Sequence, residues 1–244
     1  KAFDLEDCLL VSPEMPRLLA GVRRWAAEGG LAYYDLRKHS GLLRHVVVRE
    51  GKNTGQRMVM LVTSGGAVDT ESFVRAVKAA YPASTVLLAE NSGLSDIAIG
   101  AAPRVLDGPG VIEEKASVGG RDIVFRISPY SFFQTNTNAA ALVYGLVRDF
   151  VKSVSPRRLW DLYGGSGAFA LACADCAEEI FSLDSSEAAI ADGKINAQAN
   201  NVANARFICA KAEDFLPQGA GAAPQLAIID PPRAGMHPKA LNAV

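Results

Sequence analysis

The sequence predicts an α/β fold whose second half is a parallel sheet with helices on both faces. Three observations support this prediction. From about residue 158 onward, β-rich apolar runs alternate with helical segments at short spacing. A glycine-rich turn, DLYGGSGAFAL, joins the first of these strands to a helix. Each of these strands also ends at or next to a polar side chain, which indicates a ligand site rather than a plain structural sheet.

The first half, residues 1–127, is predicted to form a smaller α/β domain. A helix over residues 12–28 follows from apolar residues at helical spacing behind two prolines. LLRHVVVRE and RMVMLVT, separated by GKNTGQ, predict a hairpin, and DTESFVRAVKAAY predicts a helix with an acidic first turn. The remaining strands are predicted at STVLLAE, DIAIGA and RDIVFRI.

The second half, residues 128–244, carries the site. A helix over Thr137–Val151 precedes the strands RLWDLY, EIFSLD, ARFICA and QLAIID, with helices between them. Right-handed crossovers place the carboxyl ends of such strands at one edge of the sheet, where ligands bind. The side chains expected to converge there are Asp161, Tyr163, Asp184, Lys211 and Asp230.

Composition excludes several classes of protein. The chain is 49% hydrophobic and 21% charged, no apolar run approaches the ~20 residues of a membrane helix, and the first residues lack a signal-peptide pattern. A cytoplasmic protein without membrane contact or an obligate protein partner is expected. The net charge of −1 argues against tight nonspecific nucleic-acid binding. A local basic run, DLRKHSGLLRHVVVRE, is read either as a solvated turn and strand or as a local patch.

The glycine-rich turn indicates a nucleotide-like ligand. Gly165, Gly167 and Ala170 fit the dinucleotide fingerprint, so a nicotinamide oxidoreductase stays open at this point. Asp161 favours S-adenosylmethionine instead, because a carboxylate beside the turn attracts the methionine ammonium and repels a pyrophosphate. Asp184, seventeen residues after Gly167, suits the ribose hydroxyls of either ligand. The alternative for the acids is helix capping, since LDSSEAA also resembles a helix start.

The fourth strand ends in the tetrapeptide Asp-Pro-Pro-Arg, residues 230 to 233. Pro231 cannot donate a ladder hydrogen bond, and Pro232 stiffens the exit, so a rigid corner holds the Asp230 carboxylate. Asp230 is interpreted either as a solvated residue that ends the strand or as a residue that faces the ligand. Because a nucleotide-type turn precedes it in the sequence, the second interpretation is favoured.

Four cysteines stand at positions 8, 173, 176 and 209, which is not a disulfide framework. Cys173 and Cys176 form a CxxC pair, but no second pair completes a zinc site. Because the pair lies in an alanine-rich stretch predicted as helix, small buried residues are the favoured interpretation.

Together with the turn and IIDPPRAG, a third stretch, SPYSFFQTNTNAAALVYGLV, completes a specific signature. The chain resembles the RNA uracil-5-methyltransferases, which make 5-methyluridine in transfer RNA and 23S ribosomal RNA. The resemblance implies a Rossmann-like S-adenosylmethionine-dependent methyltransferase domain, truncated here, behind a smaller α/β central domain. It implies cofactor contacts from Gln134, Tyr163, Gly165, Asp184 and Asp230.

The ribosomal branch of this family often carries a 4Fe–4S cluster, whose last cysteine precedes a leucine-rich helix. Cys8, in EDCLLVSPEMPRLL, matches that cysteine and is the metal ligand that the resemblance implies. The other three ligands would precede residue 1. Of the family's two kinds of substrate, 23S ribosomal RNA is favoured over transfer RNA, but the sequence itself does not identify the RNA or the uridine.

The chain departs from the family pattern at two positions and lacks two functional groups. The family usually has Cys at Gly164 and Asn or Asp at Lys211, a position that faces adenine. The catalytic cysteine and the general base are expected beyond Val244, so the chain alone is expected to be inactive or poorly soluble. Transfer to cytosine C5 or to an exocyclic nitrogen, and a non-catalytic nucleotide- or RNA-binding module, remain the alternatives.

Overall fold

The structure is a computed structural model that describes residues 8–216 and 223–243. The chain divides into two compact units, with the boundary between Glu114 and Lys115. The sequence-based division after residue 127 assigns one further strand, β6 (Arg121–Ile127), to the first unit. In the structure β6 packs against a helix of the second unit, so the two divisions differ by one strand of a hairpin.

The first unit is a four-stranded sheet with two helices. Its elements are α1 (Met15–Glu28), β1 (Leu43–Glu50), β2 (Arg57–Thr63), α2 (Thr70–Ala80), β3 (Thr85–Glu90) and β4 (Arg104–Asp107). The strand order is β1-β2-β3-β4; β1 and β2 form the predicted antiparallel hairpin, β2 and β3 are parallel, and β4 is antiparallel to β3. The two helices pack on each other, and the Trp25 and Phe73 rings meet with centroids 5.0 Å apart.

One predicted strand of this unit is wrong. DIAIGA, residues 96–101, forms no strand; the side chains of Ile97 and Ile99 are 50% and 56% exposed. The segment is held instead by two hydrogen bonds to the end of β3: the Ala101 N–H donates to the Glu90 carbonyl (2.8 Å), and the Asn91 amide donates to the Ile97 carbonyl (2.7 Å). The alternating pattern of a half-buried strand is therefore carried here by a loop fixed from another element.

The second unit contains the predicted parallel sheet, with strand order β10-β7-β8-β9. Its elements are β7 (Arg158–Leu162), α4 (Ala168–Ala172), β8 (Glu179–Asp184), α5 (Glu187–Ala199), β9 (Ala205–Cys209), α6 (Ala212–Phe215), β10 (Leu226–Ile229) and α7 (Pro238–Leu241). Helix α3 (Thr137–Val154) precedes them and ends three residues later than predicted. The strand β5 (Ile112–Val118) crosses the boundary between the units and pairs with β6.

Alternate residues of the sheet fill two cores, one on each face. Leu159 and Ile180 pack in one core with residues of α3, α4 and α5. Trp160 and Leu162 pack in the other with residues of α6 and α7. Helices therefore cover both faces, as the alternation of strands and helices predicts. Within the described residues, no helix combines the length and the apolar character needed to cross a membrane.

Candidate functional site

The glycine-rich turn leaves β7 in an unusual backbone conformation. Tyr163 has a φ of 64° and Gly165 a φ of 54°, both in the left-handed region that non-glycine residues rarely occupy. Gly167, with a φ of 86°, precedes α4 directly, and a Cβ there would collide with the Phe207 ring. Both the backbone conformation and the lack of space for a side chain therefore require glycine at position 167.

Asp184, the last residue of β8, closes the turn. Its Oδ2 accepts a 3.0 Å hydrogen bond from the backbone N–H of Gly165, and its Oδ1 accepts a 2.8 Å bond from the N–H of Ser186. Ser186 is itself the N-cap of α5 and accepts from the N–H of Ala189. Capping and ligand binding were alternatives for LDSSEAA, but the structure assigns the cap to Ser186 and leaves Asp184 facing the turn.

A cleft of about 260 Å³ opens at the carboxyl ends of the strands. It is lined by Tyr163, Leu183, Asp184, Ser185, Ala210, Lys211, Ala212, Glu213, Pro232, Gly235 and His237. Three of the predicted residues, Tyr163, Asp184 and Lys211, therefore line the same cleft. This is the location that the carboxyl-end rule for parallel sheets predicts.

Asp161 lies under the turn rather than in the cleft. It is completely buried, and its Oδ2 accepts a 2.9 Å hydrogen bond from the Ser182 hydroxyl. Burial is the main reason that the pKa of this carboxyl is raised to about 6; the charges of Asp230 and Asp184 act in the same direction, while Ser182 and the nearby Ala170 backbone act against it. Although the Ala170 N–H is close, Oδ1 has no partner at hydrogen-bonding geometry among the described residues. A buried acceptor thus stays available below the turn.

Three of the predicted cofactor contacts, Gly165, Asp230 and Gln134, are not among the residues that line the cleft. Asp230 is exposed after β10, and its charge is among the causes that raise the pKa of the buried Asp161. Burial raises the pKa of Tyr144 on α3 to about 12, and the charge of Asp230 contributes in the same direction. Gln134 is exposed in the segment that precedes α3, and it is not among the residues that line the cleft.

Comparison with known proteins decides the family. Residues 84–222 match the family described as tRNA (Uracil-5-)-methyltransferase, which is more than half of the chain. This chain belongs to the RNA uracil-5-methyltransferase family.

Relatives of the family match the chain from end to end. An uncharacterized RNA methyltransferase of Chlorobaculum tepidum is 33% identical over 100% of this chain, and one of Halalkalibacterium halodurans is 30% identical over 100%. The chain spans about half the length of these relatives, 51% and 53%. The crystal structure of the Pyrococcus abyssi tRNA (uracil-54, C5)-methyltransferase in complex with S-adenosyl-L-homocysteine matches with a TM-score of 0.81 and 27% identity. It covers 100% of this chain, which covers 57% of that structure.

The family's Rossmann-like methyltransferase fold implies S-adenosylmethionine, and the residues present fit it. A Cβ built at Gly165 meets nothing within 4 Å, so the main chain there is open to a ligand. Each Asp184 oxygen accepts one backbone hydrogen bond, which leaves lone pairs for ribose hydroxyls. Tyr163, Leu183 and Ala212 supply the apolar surface that an adenine ring needs.

The cysteines do not form a metal site within the described residues. No group of three or more His, Cys, Asp or Glu side chains there is placed to bind a metal ion. Cys173 and Cys176 are buried, as predicted, but helix α4 ends at Ala172, so the pair lies in the following turn rather than in a helix. Cys8 is half-buried, and its role as a cluster ligand stays a prediction.

Sequence reasoning missed the wall of the cleft opposite Asp184. Glu213 lies in the first turn of α6, and His237 caps α7 by accepting at Nδ1 a 3.2 Å hydrogen bond from the Lys239 N–H. A histidine directly before a proline is a readable helix start, so this signal was present in the sequence. Ser182 was missed too, because nothing marks a serine inside an apolar strand as the partner of a buried acid.

Proposed function

We propose that this chain provides the methyl-donor site of an enzyme that transfers a methyl group from S-adenosylmethionine to C5 of a uridine in structured RNA. One observation carries the proposal: Tyr163, Asp184 and Lys211 line one cleft beside an open glycine-rich turn. Family membership adds the chemistry of the acceptor. A dinucleotide is disfavoured because the buried acid under the turn would repel a pyrophosphate.

Each residue of the donor site contacts a different part of the ligand. Asp184 accepts hydrogen bonds from the ribose hydroxyls, and the Gly165 backbone permits close approach. Tyr163 packs against the adenosine. Gln134, which offers both a donor and an acceptor, binds the amino-acid end, and Asp230 faces the methionine edge or the target base. Bound donor supplies an electrophilic methyl group, while the protein supplies orientation.

The acceptor needs activation that these side chains do not give. Uracil C5 is a poor nucleophile until a thiolate adds to C6 and makes C5 enolate-like. We assign this step to a cysteine beyond residue 244, where the resemblance to the family places it; Cys173 and Cys176 are buried. After methyl transfer a base removes the C5 proton and the thiolate leaves. The target uridine has to be unstacked to reach this site.

Donor binding can be tested by calorimetric titration of the full-length protein with S-adenosylhomocysteine and, separately, with NADH. We expect S-adenosylhomocysteine to bind and NADH not to bind. Asp184→Ala should weaken binding by at least about tenfold, because a charge-assisted hydrogen bond contributes ~1.5–3 kcal/mol. Asp149→Ala is the matched control, since that aspartate is 77% exposed on α3. Preferential binding of NADH would instead favour the oxidoreductase.

The acceptor can be tested with RNA that contains 5-fluorouridine. Fluorine at C5 cannot be removed as a proton, so the enzyme–RNA adduct should accumulate and survive denaturation. Transcripts of 23S ribosomal RNA and of transfer RNA, each with and without the analogue, identify the substrate. Methylation of cytosine or of an exocyclic nitrogen, or RNA binding without turnover, would replace the uracil proposal.

A 4Fe–4S cluster ligated by Cys8 is part of the proposal for 23S ribosomal RNA. The half-buried position of this thiol, before the helix α1, supports it. Anaerobically purified full-length protein should contain about four irons per chain, and Cys8→Ser should lose them. Iron-free protein of full activity would remove both the cluster and the argument that favours ribosomal RNA.

A further inference from the structure

Helix α5 buries a stripe of polar side chains. Asp192, Asn196 and Asn200 are spaced four residues apart and therefore share one helix face. Asp192 is 1% exposed and Asn196 is completely buried. We call these three residues the polar ladder. Burying such groups is unfavourable unless each finds a hydrogen-bond partner, so their partners explain why they are there.

The polar ladder pairs with the backbone of β6. Asn200 accepts from the N–H of Val124 (2.9 Å) and donates to its carbonyl (2.7 Å). Asn196 accepts from the N–H of Arg126 at 2.7 Å. Asp192 accepts from the N–H of Ser128 at 3.1 Å, and it also forms an ion pair with the Arg126 side chain.

The bonded residues of β6 alternate along the strand. Its other edge pairs with β5 in a two-stranded sheet, so these groups would otherwise form a free sheet edge. The side chains of α5 thus replace a third strand. Because Ser128 begins the segment that leads to Gln134, the polar ladder fixes the start of that segment.

Asn196 alone of the polar ladder reaches the glycine-rich turn as well. Its Nδ2 donates to the carbonyl oxygen of Ser166 at 3.3 Å, while its Oδ1 holds Arg126. Ser166 directly precedes Gly167, whose N–H bonds to the Gly164 carbonyl at 2.8 Å. One buried amide therefore joins the edge of β6 to the peptide that shapes the turn.

We propose that Asn196 is a positioning residue of the donor site. It holds the glycine-rich turn and the segment that leads to Gln134 in fixed positions relative to each other. The inference rests on the proposed function for the identity of the ligand. Asn196 touches no ligand atom and acts through Ser166 and β6. Without its Nδ2 donor, the Ser166 carbonyl is left buried and unpaired at this contact, and the turn loses one of its fixed points.

The test compares the same chemical change at two rungs of the polar ladder. Asn196→Asp keeps the acceptor for Arg126 but removes the donor to Ser166 and sets a carboxylate against its carbonyl. Asn200→Asp also keeps an acceptor and removes a donor, yet Asn200 bonds only to Val124 and to its own helix. Full-length wild type and both variants are compared by thermal denaturation, by S-adenosylhomocysteine affinity and by amide hydrogen exchange of residues 163–168.

We expect both variants to melt at a lower temperature than wild type. Only Asn196→Asp should raise the dissociation constant for S-adenosylhomocysteine, by about tenfold, and speed exchange in the turn without ligand. Equal affinities for Asn196→Asp and wild type, or equal losses in both variants, would overturn the inference. Wild type that does not bind S-adenosylhomocysteine would overturn the proposed donor site, and exchange would still show whether Asn196 holds the turn. If Asn196→Asp does not fold, Asn196→Ser and Asn200→Ser replace the pair.

Discussion

Asp161 and Ser182 stand opposite each other on the parallel strands β7 and β8, and the Ser182 hydroxyl donates a 2.9 Å hydrogen bond to the buried Asp161 carboxylate. This pair lies directly under the glycine-rich turn. Strands of a parallel sheet are buried on both faces and normally carry apolar side chains at such positions. An acid in this position destabilises the fold when ionised, which is consistent with the donor site that we propose.

The first prediction concerns pH. Because the pKa of Asp161 is raised from 3.8 to about 6, the folded chain binds this proton more tightly than the unfolded chain does. Its contribution to stability is therefore full below pH 4 and is lost as the pH rises to about 6. Relative to Asp161→Asn, wild type should lose about 2 kcal/mol between pH 4 and pH 7, because the unfolded carboxyl is already partly ionised at pH 4. Urea denaturation of both proteins across this range measures the difference.

The control for this prediction is Asp149→Asn, an exposed carboxylate on α3. Its free-energy difference from wild type should stay constant over the same pH range. A difference between wild type and Asp161→Asn that does not change with pH would show that Asp161 titrates normally. We also expect Asp161→Asn to weaken binding of S-adenosylhomocysteine while it gains stability at neutral pH.

The second prediction couples Gly164 to the same pair. A Cβ on Gly164 would collide with the Ser182 Oγ and the Asp161 Oδ2, although many family members have cysteine here by the resemblance noted above. Gly164→Ala should therefore destabilise the protein by about 1–3 kcal/mol through overpacking. In the Ser182→Ala background the same change should be milder, since one colliding atom is gone. Additive free energies in this double-mutant cycle would contradict the coupling.

The sequence predicts the second unit better than the first, for a physical reason. In a parallel sheet both faces are covered, so each strand is a nearly continuous apolar run and each crossover has a helical pattern. All four strands, and the acids at the carboxyl ends of three of them, follow from this pattern. In the first unit, residues 96–101 alternate like a strand, but hydrogen bonds from Ala101 to Glu90 and from Asn91 to Ile97 hold the segment as a loop.

The polar ladder shows why part of the site is not predictable from sequence. Asp192, Asn196 and Asn200 have the spacing of a solvated helix face, and α5 carries little amphipathic signal to contradict it. Their partners on β6 lie more than sixty residues earlier in the chain. Only the tertiary structure shows that these side chains satisfy a sheet edge, because the pattern of a single element does not encode its partner.

The third prediction concerns Glu50, which joins the segment after Cys8 to the end of β1. Its carboxylate accepts from the Ser12 N–H (2.9 Å) and from the Tyr81 hydroxyl and the Lys52 ammonium. Burial alone would raise the pKa of Glu50, but these donors outweigh it and lower the pKa to about 2. The stabilisation is thus present above pH 4.5 and is lost as the pH falls toward 2.

Glu50→Gln should therefore destabilise the protein by about 2 kcal/mol at pH 7, since hydrogen bonds to a charged group are weakened. Near pH 2 the two proteins should converge, because wild type has lost its charge as well. Glu71→Gln, at an 88% exposed position of α2, should have no measurable effect. Equal stability of Glu50→Gln and wild type at pH 7 would contradict this account.

The last prediction concerns thiol reactivity. Burial is the main reason that the pKa of Cys173 is raised to about 12, and burial raises the pKa of Cys176 as well. At pH 8 only about one Cys173 in ten thousand is a thiolate, and the side chain is completely buried. Cys209 is exposed at the end of β9.

Brief treatment of native protein with iodoacetamide, followed by peptide mass spectrometry, should modify Cys209, with Cys173 and Cys176 protected until the protein is denatured. Cys209→Ser removes the fast site as a control. Rapid modification of the CxxC pair in the native protein would instead restore the redox or zinc reading.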